Sequence, residues 1–185
     1  MGRRSGAALT RDDLVAAAIR VLERRGVDAL GTASVASELG IRPPSVYHHF
    51  EGNDALRFAA ATEGWRRLLA ALPEPSPDGS ASLADYARAY RAFALANRAL
   101  YRLMTTTPFD PTDPALLEVA ARAAAVRAPL RLEGDDVLHG LRGLRAAIHG
   151  FVALELAGQV QALTGASGAE GVRRLAGIGF WLRDS

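Results

Sequence analysis

A short segment near the N-terminus, Pro-Pro-Ser-Val-Tyr-His-His-Phe at residues 43–50, holds the side chains best suited to recognition chemistry. Val46 and Phe50 lie four residues apart, so both can face the protein interior on one helix. The polar side chains off this apolar stripe are Ser45, Tyr47, His48 and His49. A tyrosine hydroxyl can donate to a phosphate oxygen and imidazoles can meet base edges, so the pattern favours contact with nucleic acid. The alternative is that the two histidines are ordinary surface residues of a helical hairpin.

The segments that precede this one form the frame that a reading helix needs. Thr10 stands before a helical apolar pattern, with Asp13 three residues later, which predicts a capped helix that ends at Gly26. A second helix is predicted from Thr32 to Gly40, and a third from Pro43 to Phe50. Two short helices joined by a glycine-containing turn indicate a helix-turn-helix unit, whose second helix enters the major groove of DNA. Thr32 is expected to cap the second helix and to touch a phosphate.

Apolar residues at helical spacing continue through the remainder of the chain, and no alternating strand pattern occurs. Proline clusters interrupt them, so residues 73–80 are predicted to be a linker and residues 105–114 a second break. The fold is therefore expected to be all-α. The further predicted helices are one that follows Gly52-Asn53-Asp54, then Leu83 to Leu103, Leu116 to Val126, Asp135 to Leu163, and Ala169 to Leu182.

The composition excludes several kinds of site. The 185 residues include 22 basic side chains, all arginine, and 20 acidic ones, so the net charge of +2 does not by itself argue for nucleic acid. The sequence has no cysteine, which rules out disulfides, cysteine-ligated zinc and thiol catalysis. It shows neither a secretory signal nor an apolar run of the ~20 residues that span a bilayer. A soluble, cytoplasmic protein without membrane contact is therefore expected.

Catalysis finds little support in the sequence. It contains no glycine-rich phosphate loop, no Gly-x-Ser-x-Gly turn and no pair of inward carboxylates at helical spacing. His149 has no second histidine or carboxylate at metal-ligand spacing on its helix face, so no metal site is expected. The chain is expected to have neither enzymatic activity nor a cofactor.

Residues 10–58 resemble the N-terminal DNA-binding domain of TetR-family transcriptional repressors. The motifs that carry the resemblance are Ala17-Ala18, Val21-Leu22, Gly26, Val35-Ala36-Ser37-Glu38-Leu39-Gly40-Ile41, Ser45-Val46-Tyr47-His48-His49-Phe50 and Ala55-Leu56. The resemblance implies a dimeric repressor whose third helix reads the major groove and whose C-terminal domain binds a small effector. The family's base-reading positions fall on Ala33, Arg42, Pro43, Ser45 and His48, and its phosphate-contacting positions fall on Thr32, Tyr47 and Asn53.

Three features depart from the family pattern. Arg42 stands where a serine or similar capping residue is usual, two prolines begin the third helix, and Asn53 replaces a lysine that grips phosphate. The loss of one cation per subunit predicts weaker and less salt-dependent DNA binding. A mobile arm that contacts the DNA could compensate for this lost cation, with Arg3, Arg4 and Arg11 as its charges. The alternative for Arg3 and Arg4 is a disordered tail.

The C-terminal half resembles the effector domain of a TetR subgroup marked by a His-Gly pair inside a long helix, here His149-Gly150. That subgroup tends to carry a tryptophan about one turn earlier, where this chain has Arg145. Large side chains at helical spacing could line a cavity for a small, largely hydrophobic effector, although such a series is more often plain core. His149 could instead bond to a buried partner. The candidate ligand-binding residues are Trp65, Tyr90, Phe93, Tyr101, Met104, Phe109, His149 and Phe151.

The predicted organisation is a DNA-binding domain at residues 1–54 and an effector-binding and dimerisation domain at residues 55–185. The last two helices, Asp135–Leu163 and Ala169–Leu182, are expected to form the dimer surface, because pairs from two subunits would make a four-helix bundle. Such a dimer would bind a pseudo-palindromic operator and be released by its effector. The alternative is a small helical binding or carrier protein, or an enzyme, whose N-terminal hairpin is only structural.

Overall fold

The computed structural model describes residues 8–74, 83–108 and 136–159, together with residues 110, 112–114, 117–119 and 121. Across these residues the backbone forms helices, turns and loops and no β-strand, which agrees with the predicted all-α fold. The helices are α1 (Arg11–Arg25), α2 (Thr32–Leu39), α3 (Pro43–Tyr47), α4 (Asn53–Ala71), α5 (Leu83–Ala96), α6 (Arg98–Thr106) and α7 (Asp136–Leu156), with a short 3-10 turn at Val27–Ala29.

Helix α1 begins and ends where its sequence signals lie. The Thr10 hydroxyl accepts the N–H of Asp13 at 3.1 Å, and the Asp13 carboxylate accepts the N–H of Thr10 at 2.9 Å. These two bonds complete the predicted capping box. At the other end Gly26 has φ +81° and donates its N–H to the carbonyl of Leu22 at 2.8 Å. Residues with side chains rarely adopt this φ, so the glycine lets the chain turn away from the helix.

The turn between α2 and α3 consists of three residues, Gly40-Ile41-Arg42. Gly40 is left-handed, with φ +64° and ψ 32°, and ends α2 as predicted. Val46 and Phe50 are only 0% and 2% exposed, which confirms the inward-facing stripe. The prediction that α3 extends to Phe50 is wrong. The Val46 carbonyl accepts from the N–H groups of both His49 and Phe50, which tightens the last turn, so the helix ends at Tyr47.

The first compact unit of the chain comprises Met1–Trp65 and Asn97–Asp113. It therefore contains α6, which packs against α1 and the 3-10 turn. The buried side chains of α6 are Leu100, Tyr101, Leu103 and Met104. Helices α4 and α6 approach closely at Gly64, where an added Cβ would lie 2.7 Å from Met104 Sδ. The glycine thus provides the space that the Met104 side chain fills.

The second compact unit comprises Arg66–Ala96 and Pro114–Ser185. In its described part α5 packs against α7. Tyr86, Tyr90 and Phe93 of α5 are buried, as is Val152 of α7. The rings of Tyr86 and Tyr90 lie 6.4 Å apart between centroids and are tilted by 33°. The buried face of α5 is therefore largely aromatic.

Two predicted helices have different bounds in the structure. The helix predicted over residues 83–103 is divided at Asn97, whose φ of −125° and ψ of 49° are not helical. Asparagine is unfavourable in helix interiors because its side chain competes with the backbone for hydrogen bonds. Helix α7 ends at Leu156 instead of Leu163, two residues before Gly158 at φ +74°. A glycine at this φ commonly ends a helix.

Several predictions lie outside the described residues. They concern residues 75–80 of the linker, most of the helix at 116–126, and the whole of the last helix at 169–182. The division into compact units groups α6 with the N-terminal helices. The predicted domain boundary between residues 54 and 55 divides the chain differently. That boundary stays a prediction.

Candidate nucleic-acid interface

Helix α3 has one buried face and one face open to solvent. Val46 is completely buried, whereas Tyr47 next to it is 55% exposed. The side chains around Tyr47 that were predicted to contact DNA are Arg42, Pro43 and His48, which are exposed, and Ser45 and His49, which are half-buried. A helix that enters a groove needs this arrangement, because its outer face must be free to meet DNA while its inner face holds it to the protein.

The start of α2 differs from the prediction. Its first helical residue is Thr32 and its N-cap is Gly31, so the expectation that Thr32 caps the helix is wrong. The Ser34 hydroxyl instead accepts the N–H of Gly31 at 3.0 Å. Thr32 is 3% exposed, and its Oγ1 donates to Tyr47 Oη at 3.1 Å. Ala33, the next residue, is exposed. The threonine hydroxyl is thus bonded to Tyr47, and its contact with phosphate stays a prediction.

Two residues one turn apart on α4 hold the segment that leads into α2. Asn53 Oδ1 accepts the N–H of Thr32 at 2.8 Å. Arg57 donates from Nε and Nη2 to the Leu30 carbonyl at 3.2 and 3.0 Å, and from Nη2 to the Val27 carbonyl at 3.1 Å. We call Asn53 and Arg57 the α4 clamp. It fixes the helix-turn-helix unit to the first turns of α4, because residues four apart share one helix face.

The role of Arg57 was missed by sequence reasoning. Its acceptors are backbone carbonyls 27 and 30 residues earlier in the chain, and carbonyls carry no signal of side-chain type. The spacing of four residues from Asn53 was the one sequence feature that could have drawn attention to it.

Arg11 belongs to the fixed part of the protein. It is the first residue of α1, and its guanidinium carbon lies 4.2 Å from the centre of the Phe50 ring. Its Nη1 also donates to the His49 carbonyl at 3.0 Å. A cation over an aromatic face is attracted by the ring quadrupole, so Arg11 secures the turn after α3 instead of belonging to a mobile arm. Arg3 and Arg4 lie outside the described residues.

A cavity of about 810 Å³ opens beside the first turns of α4, within the first compact unit. Its lining consists of Arg11, Asp54, Ala55, Arg57, Phe58, Leu103, Thr106, Thr107, Pro108 and Asp110. Hydrogen bonds from the hydroxyl and the N–H of Thr112 lower the pKa of the Asp110 carboxyl. This mixture of charged and apolar walls differs from the largely hydrophobic lining expected for the effector site.

The residues predicted to bind an effector are divided between the two compact units. Trp65, Tyr101 and Met104 are buried in the first unit, Tyr90 and Phe93 are buried in the second, His149 and Phe151 are half-buried in the second, and Phe109 lies outside the described residues. Core packing and cavity lining both produce burial. Ligand contact by these residues therefore stays a prediction.

The pKa values of two side chains in the second unit are shifted by burial. Burial lowers the pKa of His149 below its ordinary value of 6.5, and the charge of Arg145 adds to the effect. Burial also raises the pKa of the Tyr86 phenol, with a smaller contribution from Tyr90. In both cases the surroundings disfavour the charged form of the side chain.

Family comparison agrees with this arrangement. Residues 14–60 match the model described as bacterial regulatory proteins of the tetR family. Residues 83–176, about half of the chain, match the model of the tetracyclin repressor-like C-terminal domain. The chain belongs to the TetR family. The family consists of ligand-responsive transcriptional repressors, and this chain is a transcriptional regulator with an N-terminal helix-turn-helix domain. Membership of the His-Gly subgroup stays a prediction.

Relatives of this TetR-family regulator extend over most of its length. The uncharacterised helix-turn-helix-type transcriptional regulator YobS of Bacillus subtilis is 27% identical over 79% of this chain and 78% of its own. A protein of unknown function from Rhodococcus sp. RHA1 has a structure with TM-score 0.71, 28% identity, and coverage of 95% and 96%. A TetR variant from Acinetobacter baumannii AYE, solved in complex with minocycline, gives TM-score 0.67, 25% identity, and coverage of 93% and 92%.

The described part of the TetR-family regulator contains neither a membrane-spanning helix nor a metal site. Among the residues that the structure describes, no helix combines the length and the apolar character needed to cross a bilayer. The same residues contain no group of three histidine or carboxylate side chains placed to hold a metal ion.

Proposed function

We propose that this TetR-family regulator acts as a homodimeric repressor that binds a pseudo-palindromic operator and releases it when a small, largely hydrophobic effector binds. The observation that carries the DNA-binding role is the contrast within α3, where Val46 is fully buried and Tyr47 is 55% exposed. Together with the family match, this contrast favours operator binding over a purely structural hairpin. We place this activity in the cytoplasm.

On the operator, some of the exposed residues would contact base edges and others would contact the phosphate backbone. Arg42 and His48 offer donors that base edges in the major groove can accept, with Ala33, Pro43 and Ser45 beside them. Tyr47 offers a hydroxyl to a phosphate oxygen. His49 is half-buried, and its carbonyl already accepts from Arg11, so it would contribute mainly to the position of the turn.

The proposed dimer is supported by one face of α7. Gly143, Ala147 and Leu154 are exposed there, and an added Cβ at either Gly143 or Gly150 would meet no atom of the described residues within 4 Å. These four positions follow helical spacing, so small and apolar residues share a surface that suits another helix. A twofold axis through this surface would place two recognition helices about 34 Å apart, one turn of DNA.

Control would act through a shift between two arrangements of the dimer. Helix α4 begins at the α4 clamp and continues to Ala71, and its residues from Arg66 onward belong to the second compact unit. A movement of its C-terminal part would thus be passed to the recognition helix through Asn53 and Arg57. A coupling of about 1–3 kcal/mol changes operator affinity about 5- to 150-fold, enough for a switch.

A gel shift with the DNA upstream of the protein's own gene tests the proposal. A repressor prefers one inverted repeat. Tyr47→Ala should weaken its binding to that repeat, and His48→Ala should reduce the preference for it. Leu117→Ala is the matched control, because Leu117 is 55% exposed and lies outside the helix-turn-helix unit. The alternative, a carrier protein or an enzyme, predicts no site preference and no effect of these substitutions.

A further inference from the structure

The N-terminus of α2 is capped by a residue from another helix. Its own N-cap, Gly31, has no side chain that could accept a backbone N–H. Asn53 Oδ1, at the first residue of α4, accepts the N–H of Thr32 at 2.8 Å instead. Gly31 allows this approach, because a Cβ at that position would stand 3.0 Å from the same oxygen. One N–H group in the first turn of α2 is therefore satisfied from α4.

A second hydrogen bond extends this contact to the exposed face of α3. The hydroxyl of Thr32 donates to Tyr47 Oη at 3.1 Å. Thr32 is 3% exposed and Tyr47 is 55% exposed, so the bond joins an interior residue to a surface one. Asn53, Thr32 and Tyr47 thus form a polar relay from the start of α4 to the end of α3.

With Thr32 as the donor in this bond, the phenol hydrogen of Tyr47 is available to another acceptor. A phenol oxygen that accepts a hydrogen bond from Thr32 keeps its own hydrogen to donate elsewhere. With the oxygen held from the inside, that hydrogen is left for an acceptor in solvent. A phosphate oxygen is such an acceptor, and a charged one makes the stronger bond.

We propose that Asn53 is a positioning residue, which orients Tyr47 for DNA through Thr32 and does not itself contact DNA. This inference rests on the proposed function, in which Tyr47 donates to the operator backbone. The amide oxygen of Asn53 already accepts the Thr32 N–H, and the Asn53 side chain carries no charge with which to attract phosphate. Direct phosphate contact through the amide nitrogen is the alternative that the test separates.

A double-mutant cycle on the full chain distinguishes the two roles. Asn53→Leu removes the acceptor at similar size, and Tyr47→Phe removes the end of the relay. Operator affinity is measured by fluorescence anisotropy for each single variant and for the double variant, with the folded fraction checked by circular dichroism. We expect Asn53→Leu to weaken binding about fivefold in the parent, the size of a lost helix cap, and less than about twofold beside Tyr47→Phe.

Two controls keep the result specific. Asp54→Asn changes the next residue of α4 and leaves the cap intact, so its effect on affinity should be the same in both backgrounds. Asn53→Asp retains an acceptor oxygen, so hydrogen exchange of the Thr32 amide should stay slow in this variant and become fast in Asn53→Leu. A residue that stabilises the fold only in general would not produce this rescue together with the dependence on Tyr47.

The possible outcomes test the positioning role of Asn53 separately from the proposed function of operator binding. An equal loss of affinity on Asn53→Leu in both backgrounds overturns the positioning role and assigns Asn53 a direct or purely structural one. A Thr32 amide that remains protected in Asn53→Leu also overturns it. A parent chain that binds operator and random DNA equally would overturn the proposed function, whatever the amide exchange of Thr32 reports.

Discussion

Arg91 of α5 and Glu155 of α7 form a two-pronged ion pair whose carboxylate is almost closed to solvent. Arg91 Nε donates to Glu155 Oε2 at 2.6 Å, and Nη2 donates to the other carboxylate oxygen. The arginine side chain is 20% exposed and the glutamate side chain 6%. A bidentate pair fixes orientation as well as distance, so these residues set how α5 lies on α7.

Removal of the arginine alone should be costly. Arg91→Leu would leave a buried carboxylate without its partner, and we expect the free energy of unfolding to fall by about 3–5 kcal/mol. Arg91→Leu combined with Glu155→Leu should recover most of that loss, since an apolar pair has no charge to bury. Urea denaturation followed by circular dichroism measures both.

The chain offers a matched control for this pair. Arg88 pairs with Asp85 on the same helix, but the two side chains are 66% and 43% exposed. Arg88→Leu should therefore change the stability by less than about 1 kcal/mol. Equal losses for Arg88→Leu and Arg91→Leu would show that the buried pair contributes no more than a surface one.

His149 should make the protein less stable in mild acid. Its pKa in the folded state is depressed below the ordinary 6.5 by burial and by Arg145, so the unfolded chain binds a proton more readily. The stabilising contribution is present above pH 6.5 and is lost as the pH falls from there through the folded pKa. The melting temperature should fall between pH 7.5 and 5.5, and His149→Gln should flatten this decline.

An exposed histidine provides the comparison for that pH dependence. His139 lies on the same helix and its side chain is exposed, so His139→Gln should leave the decline as it is in the parent. A parent and a His149→Gln variant with equal declines would contradict the assignment.

Arg42 and Tyr47 should affect DNA binding in different ways. Arg42 lies at a base-reading position, so Arg42→Ala should weaken operator binding by about 1–3 kcal/mol and lower the ratio of operator to random-sequence affinity. Tyr47→Phe removes a backbone contact and should weaken both complexes by a similar factor. Anisotropy titrations with the two DNAs measure the ratio. Equal losses on both DNAs for Arg42→Ala would exclude base reading by this residue.

Leu154 should be essential for dimer formation. It is 44% exposed on the α7 face proposed as the interface, and Leu154→Glu would place one charge from each subunit there. We expect the dissociation constant of the dimer to rise about a hundredfold, because both carboxylates would have to lose water. Analytical ultracentrifugation measures it, with Leu117→Glu as an equally polar change elsewhere. A dimer that survives Leu154→Glu would place the interface on another surface.

Both ends of α1 and the end of α2 could be predicted because their signals are local. Thr10 with Asp13, Gly26 and Gly40 each act within one turn of their own position. The break at Asn97 was not predicted, since a single asparagine lowers helix propensity only slightly. The break coincides with the change from the second compact unit to the first, which no local sequence pattern marks.

The candidate site shows the same contrast between local and distant signals. The inward stripe of Val46 and Phe50 follows from a spacing of four residues, and the structure has it. The α4 clamp joins Asn53 and Arg57 to backbone atoms 21 to 30 residues away. Backbone atoms are the same in every residue, so no sequence pattern marks such a contact before the fold is known.

Because α6 belongs to the first compact unit, it affects how the DNA-binding helices could be grafted onto another regulator. A graft that cuts the chain within α4 would take Met1–Trp65 and leave behind Asn97–Asp113, with the buried Leu100, Tyr101, Leu103 and Met104. The grafted segment would then expose the side of α1 that α6 covers and the space beside Gly64 that Met104 fills. A working hybrid regulator has to import both stretches, or rebuild the missing helix from the host.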